Sequence, residues 1–125
     1  MIALDASALL ALLFREKGQE RVLAVIADSC ISTVNVSEVI GRLVRDGQKA
    51  ADALQEITVL PVEIVPFGAA DATLTASLLP VTKPLGLSLG DRACLALGIS
   101  REIAVMTADR PWLGVDLPVD IVCIR

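Results

Sequence analysis

Four acidic residues, Asp5, Glu38, Asp91 and Asp109, lie far apart in the 125-residue chain but in similar surroundings. Asp5 follows the apolar "IAL" and precedes "ASALLALLF", with Ser7 just beyond it. Asp109 follows "IAVMT", and Thr107 stands two residues before it. Glu38 lies in "NVSEV" and Asp91 in "LSLGDRACLALG", each expected in the first turn of a helix. Burying a carboxylate is costly unless it is paired, caps a helix or holds a metal. Brought together, several carboxylates repel one another and raise each other's pKa values unless a cation compensates. The chain has no histidine, so such a cation would be held by oxygen alone, which suits Mg2+ or Mn2+. Sites of that kind activate water against phosphate esters.

Each acid also has a structural reading. Asn35-x-x-Glu38 and Ser88-x-x-Asp91 both have the spacing of a capping box. An acid in a first turn also suits the positive end of the helix dipole. Asp109, before Arg110 and Pro111, fits an ordinary turn. Asp5 has the weakest such reading, because a charge between a buried strand and an apolar helix gains little structurally.

Composition narrows the chemistry further. Without histidine there is no Ser-His-Asp or Cys-His catalysis and no imidazole metal site. Cys30, Cys94 and Cys123 form no C-x-x-C pair and read as small buried hydrophobes. Tyrosine is absent, and with only Phe14, Phe67 and Trp112 an aromatic platform for successive bases is not expected. The net charge of −4 argues against broad electrostatic attraction to nucleic acid. Locally basic spots occur at Arg15/Lys17/Arg21 and at Arg42/Arg45/Lys49.

Hydrophobic residues make up 54% of the chain and mean hydropathy is +0.69, so folding around an unusually apolar core is expected. The longest apolar runs, "ALLALLF" and "ACLALGI", are far short of the ~20 residues needed to cross a bilayer. Nor does the first segment have the basic start of a signal peptide. A cytoplasmic protein is expected, with no membrane contact.

The elements that must position the acids follow from the pattern. Strands are expected at 2–5, 30–33, 62–67, within 102–109 and at 119–124. Helices are expected at 6–16, 19–27, 35–47 (opened by Asn35), 48–58, 69–79 and from Ser88 to about Gly98, with a loop between Pro80 and Pro84. Short strands alternating with helices imply a parallel sheet covered on both faces, and residues 1–125 are expected to form a single domain. In such folds functional groups gather beyond the carboxyl ends of the strands, which is where all four acids would fall.

The segments "MIALDASALLALLFREKG", "VNVSEVIGRL", "GLSLGDRACLALG" and "VMTADRPW", in that order, closely resemble PIN domains, and in particular the small bacterial VapC-type toxins of toxin–antitoxin pairs. The resemblance covers essentially the whole chain. It implies a three-layer α/β/α sandwich with a central parallel sheet and a Mg2+-dependent endoribonuclease in which Mn2+ may substitute. The family's acidic positions fall on Asp5, Glu38, Asp91 and Asp109. Asp5, Asp91 and Asp109 are expected to bind metal, and Ser7, Asn35 and Thr107 match accompanying polar positions. Arg15, Lys17 and Arg42 are expected phosphate contacts, and Arg92 a structural neighbour of Asp91. The resemblance further implies an RNA substrate, a cognate antitoxin and a homodimer.

Two rival readings remain. The same acids could serve a PIN-like module that binds a metal or a partner without cleavage. A phosphotransfer receiver domain also places acids at strand ends, but it expects an acidic pair near the first strand, and Asp5 has no acidic neighbour.

Overall fold

The computed structural model describes residues 1–125. Five short strands, β1 (Ile2–Leu4), β2 (Ser29–Ser32), β3 (Glu63–Val65), β4 (Ala104–Thr107) and β5 (Ile121–Cys123), form one parallel sheet in the order β3-β2-β1-β4-β5. The chain starts in the middle of the sheet, adds strands on one side, then crosses to the other. In register, Leu4 stands beside Met106 and Ala3 beside Cys30, so β4 runs one residue past the end of β1.

Helices cover both faces, as the apolar strands require. On one face lie α1 (Ala6–Leu13), α2 (Gln19–Val25), α3 (Thr33–Arg45) and α4 (Ala50–Thr58). Their buried side chains, among them Leu9, Val22, Val39 and Ile57, form one core with Leu4 and Ile31 of the sheet. On the other face lie α5 (Ala69–Ser77), the short α6 (Leu79–Thr82) and α7 (Leu89–Arg101). There Cys94, Leu95 and Leu97 pack with Val105 and the fully buried Trp112. A β-carbon at Gly98 would collide with Val105, so glycine lets α7 lie directly on β4. The α/β/α sandwich expected from the sequence is the observed fold.

Several details differ from the sequence reading. The helix expected to open at Asn35 opens at Ser32, whose Oγ accepts the Val34 N–H at 3.2 Å. Serine before two residues that continue the helix is the better cap, and Asn35 is left inside. Glu38 therefore lies in the second turn of α3, not the first. The segment between Pro80 and Pro84 is helical rather than a loop: Pro80 lies in the first turn of α6, where its missing N–H costs nothing, and a 3-10 turn follows at Lys83–Leu85. The turn at "RPW" is a 3-10 helix, Arg110–Gly114, and α7 runs on to Arg101. No helix is long and apolar enough to cross a membrane.

Candidate metal centre

The acids meet at the carboxyl edge of the sheet. Asp5 directly follows β1, and Asp109 lies two residues beyond β4, its neighbour in the sheet. Glu38 comes from α3, the helix that follows β2, and Asp91 from the first turn of α7. All four line one cavity of about 420 Å3, together with Ser7 and Arg125.

Asp5 is the deepest, only 3% exposed. It precedes α1 but does not cap it with its side chain, which matches its weak structural reading. Instead Ser7 Oγ donates to its Oδ2 at 2.6 Å and Thr107 Oγ1 donates to the same oxygen at 3.0 Å. The two hydroxyls lie 3.2 Å apart, and the Ala108 and Asp109 N–H groups donate to them. One network thus ties the end of β1 to the end of β4. Burial raises the Asp5 pKa from 3.8 to about 6 despite both hydroxyl bonds, and the charges of Asp91 and Glu38 push it the same way.

Asp91 completes a capping box. The Ser88 N–H donates to its Oδ2 at 2.8 Å, and its own N–H donates to Ser88 Oγ at 3.2 Å. Burial also raises its pKa, against those bonds and with help from the Asp109 charge. Arg92 turns away and donates to the Thr75 carbonyl at 3.2 Å, bracing α7 on α5.

At Glu38 the expected capping box does not form. Fully buried Asn35 uses Nδ2 to donate to Glu38 Oε1 at 2.8 Å and to the Gly90 carbonyl at 3.0 Å. This one amide links α3 to the start of α7. The carboxyl end of Glu38 rests on Gly90, where a β-carbon would overlap it. Glu38 is exposed as a residue, but its packed carboxyl end loses enough water for desolvation to raise its pKa, opposed by Asn35.

A common pattern runs through Asp5, Asp91 and Glu38. In each, one oxygen accepts the hydrogen bonds that fix the side chain, and the other accepts none. Against four carboxylates the cavity sets a single cation, Arg125, which donates to the Lys17 carbonyl at 2.9 Å and pairs with Glu16 at 3.6 Å. No three acidic side chains stand as a ready-formed ligand group. The cavity presents separate free oxygens and uncompensated negative charge, both of which a hard divalent cation would satisfy.

The three basic residues expected to contact phosphate do not line this cavity. Arg15 is exposed beyond α1, and Arg42 pairs with Asp46 at 3.3 Å and covers the Phe14 ring at 4.8 Å. Lys17 contributes only its carbonyl, to Arg125. Arg125 itself carried no signal in the sequence, since its place in this cavity depends on where the last strand is laid.

The PIN domain family model matches residues 2–116. The chain belongs to the PIN domain family. Solved structures agree on the fold across nearly the full length of both chains. VapBC2 from Rickettsia felis, solved with a DNA fragment from its promoter, is 14% identical with a TM-score of 0.75, covering 97% of each chain. A toxin–antitoxin complex from Klebsiella pneumoniae is 17% identical with a TM-score of 0.71, covering 97% of this chain and all of the other. FitAcB from Neisseria gonorrhoeae is 22% identical with a TM-score of 0.70, covering 99% and 98%. No curated protein matches the sequence. Within this PIN domain the buried free thiols Cys30 and Cys94 pack as small apolar side chains.

Proposed function

We propose that this PIN domain is the VapC-type toxin of a toxin–antitoxin pair, an endoribonuclease that hydrolyses RNA with Mg2+ or Mn2+. The observation that carries this reading is the shared cavity. Four acids from four separate segments line it, and three of them keep one oxygen free of hydrogen bonds. A capping or turn role asks nothing of the kind from Asp5, which is buried at a cost that its two hydroxyl bonds offset only in part.

In this reading Asp5, Asp91 and Asp109 hold the cation, directly or through water. A divalent cation held by these carboxylates would supply acidified water and charge neutralisation at a phosphate. Ser7 and Thr107 fix the free oxygen of Asp5 toward the cavity by holding the other one. The capping box does the same for Asp91, so a helix start sets the ligand's direction. Glu38, aimed by Asn35, orients the attacking water and takes its proton at the oxygen that Asn35 leaves free.

The chain acts in the cytoplasm, paired with a cognate antitoxin and a second copy of itself. Toxin–antitoxin complexes among the solved structures support the first partner, and exposed Leu79, Val81 and Leu113 support the second. The test is cleavage of RNA by the purified chain with Mg2+ or Mn2+, abolished by a chelator. Undiminished cleavage in Asp5→Ala or Asp91→Ala would overturn the assignment. Retained antitoxin binding in those inactive variants would separate catalysis from docking, and no cleavage by the wild type would favour the non-catalytic module.

A further inference from the structure

A second cavity, of about 600 Å3, opens beside the first and shares Glu38 as a wall. Its other main surfaces are the Phe67 ring, the Leu89 side chain, and the hydroxyl residues Thr33, Ser37 and Ser88. Phe67 stands apart from the other two aromatic residues. Trp112 is fully buried in the core, and Phe14 is covered by Arg42. Phe67 is half-buried and held in place, its N–H donating to Thr33 Oγ1 at 3.1 Å. Leu89 is 57% exposed at the first position of α7, beside the capping residue Ser88.

The lining decides what class of group fits. Two helices begin at the rim, and a helix start favours an anion. Here the starts are partly answered from within, by Ser32 Oγ on Val34 and by Ser88 Oγ on Asp91. The only charged group in the lining is Glu38, and no Lys or Arg is present. A phosphate would therefore face a carboxylate with no cation beside it. A flat, neutral group with hydrogen-bonding edges meets no such penalty: it has a ring to stack on, an aliphatic side chain to cover it, and hydroxyls that both donate and accept. That description is a nucleobase.

We propose that this cavity is a base subsite, which takes one unpaired nucleobase of the RNA next to the scissile phosphate and stacks it on Phe67. The proposal rests on the ribonuclease reading for the word "scissile", because Glu38 is the wall that joins the two cavities. A single ring is no platform for successive bases, but it is enough for one. The phosphate then lies over the carboxylate cavity and the base over Phe67, so the substrate must be single-stranded at that nucleotide, its base turned out of any stack.

Two experiments test this and keep it apart from the parent reading. The first titrates free nucleosides, which carry a base and no phosphate, into the isotope-labelled full chain without metal. Shifts confined to the Phe67 ring and the Leu89 and Val34 methyls are expected. They should vanish in Phe67→Leu, which keeps an apolar side chain but loses the aromatic face, and inorganic phosphate should not reproduce them. The second measures cleavage of short single-stranded RNAs that differ in the nucleotide beside the cut. Phe67→Leu and Leu89→Ala should raise KM about tenfold and flatten the preference at that nucleotide, with kcat nearly unchanged. Nucleosides that leave Phe67 untouched, or an unchanged KM and base preference in Phe67→Leu, would overturn the subsite. So would a Phe67→Leu chain that cleaves normally but binds its antitoxin less tightly, which would make the cavity a protein-docking site. If the wild type cuts no RNA while nucleosides still titrate Phe67, the base site stands and the nuclease reading fails.

Discussion

The starts of α3 and α7 face each other across the carboxyl edge of the sheet and solve the same problem differently. At α7 a serine and an aspartate three residues apart close a reciprocal cap, and Asp91 keeps its second oxygen for the cavity. At α3 the cap is a serine outside the motif, and Asn35 is turned inward to hold Glu38 and the Gly90 carbonyl together. The α7 acid is fixed by its own helix. The α3 acid is held by an asparagine of its own helix, which is itself anchored on α7. One carboxylate is therefore positioned wholly within its helix and the other by a local bond that depends on tertiary packing, and the two should fail differently.

The largest difference is expected in cleavage. Asp91→Asn keeps a side-chain oxygen for the cap but removes the negative charge, and activity should fall roughly a thousandfold with little change in melting temperature. A steady-state assay beside a thermal melt reads both. If activity survives, Asp91 is merely a cap.

Asp5, which lies between the two helix starts, tests the charge they share. Its carboxyl is raised from 3.8 to about 6 by burial, so the folded state holds the proton more tightly than the unfolded one. The stability this gives is fully present below 3.8 and is lost as the pH rises through about 6, an effect of about 3 kcal/mol. Metal-free protein should accordingly lose stability over that window, as followed by denaturant melts. Asp5→Asn should remove the loss and stabilise the metal-free chain at neutral pH while abolishing cleavage. Added Mg2+ should raise the melting temperature of the wild type far more than that of Asp5→Asn.

Asn35→Ala breaks the α3 arrangement. It removes the side-chain donor shared by the Gly90 carbonyl and Glu38, so a loss of about 2 kcal/mol is expected together with lower kcat. Ser88→Ala breaks the α7 arrangement at a smaller cost of about 1 kcal/mol, the usual value of a helix cap, and should lower activity only as far as Asp91 loses its direction. Equal stability losses in the two variants would erase the distinction between local and tertiary positioning. Gly90→Ala sharpens it most cleanly: the new methyl displaces the flexible end of Glu38 rather than backbone, so stability should barely change while kcat falls.

The same contrast explains how much was legible beforehand. The parallel sheet, the helices around it and the four acids at its edge follow from strand–helix alternation and from charges set in apolar segments. The Ser88–Asp91 box was readable because its partners are three residues apart. The similar-looking Asn35–Glu38 spacing was not a box, because a better capping serine lay just upstream and Asn35 found its second partner 55 residues away. Arg15, Lys17 and Arg42 looked like a phosphate-binding group by their charge, but none of them lines the carboxylate cavity. Arg125 and Phe67 line the cavities with no signal in the chain to announce either.

What the sequence by itself determined is the set of groups and the elements that carry them. Hydrophobic period and capping chemistry are local properties, and the absence of histidine removes imidazole from any metal site here. What only the tertiary structure decided is which groups meet. The ends of β1 and β4 become neighbours through the strand order, and their hydroxyls lock Asp5. Contact between α3 and α7 is created by packing two faces of one sheet, and only then does a buried amide aim Glu38. Its side chain can be held this way because Gly90 leaves the space that any other residue would fill.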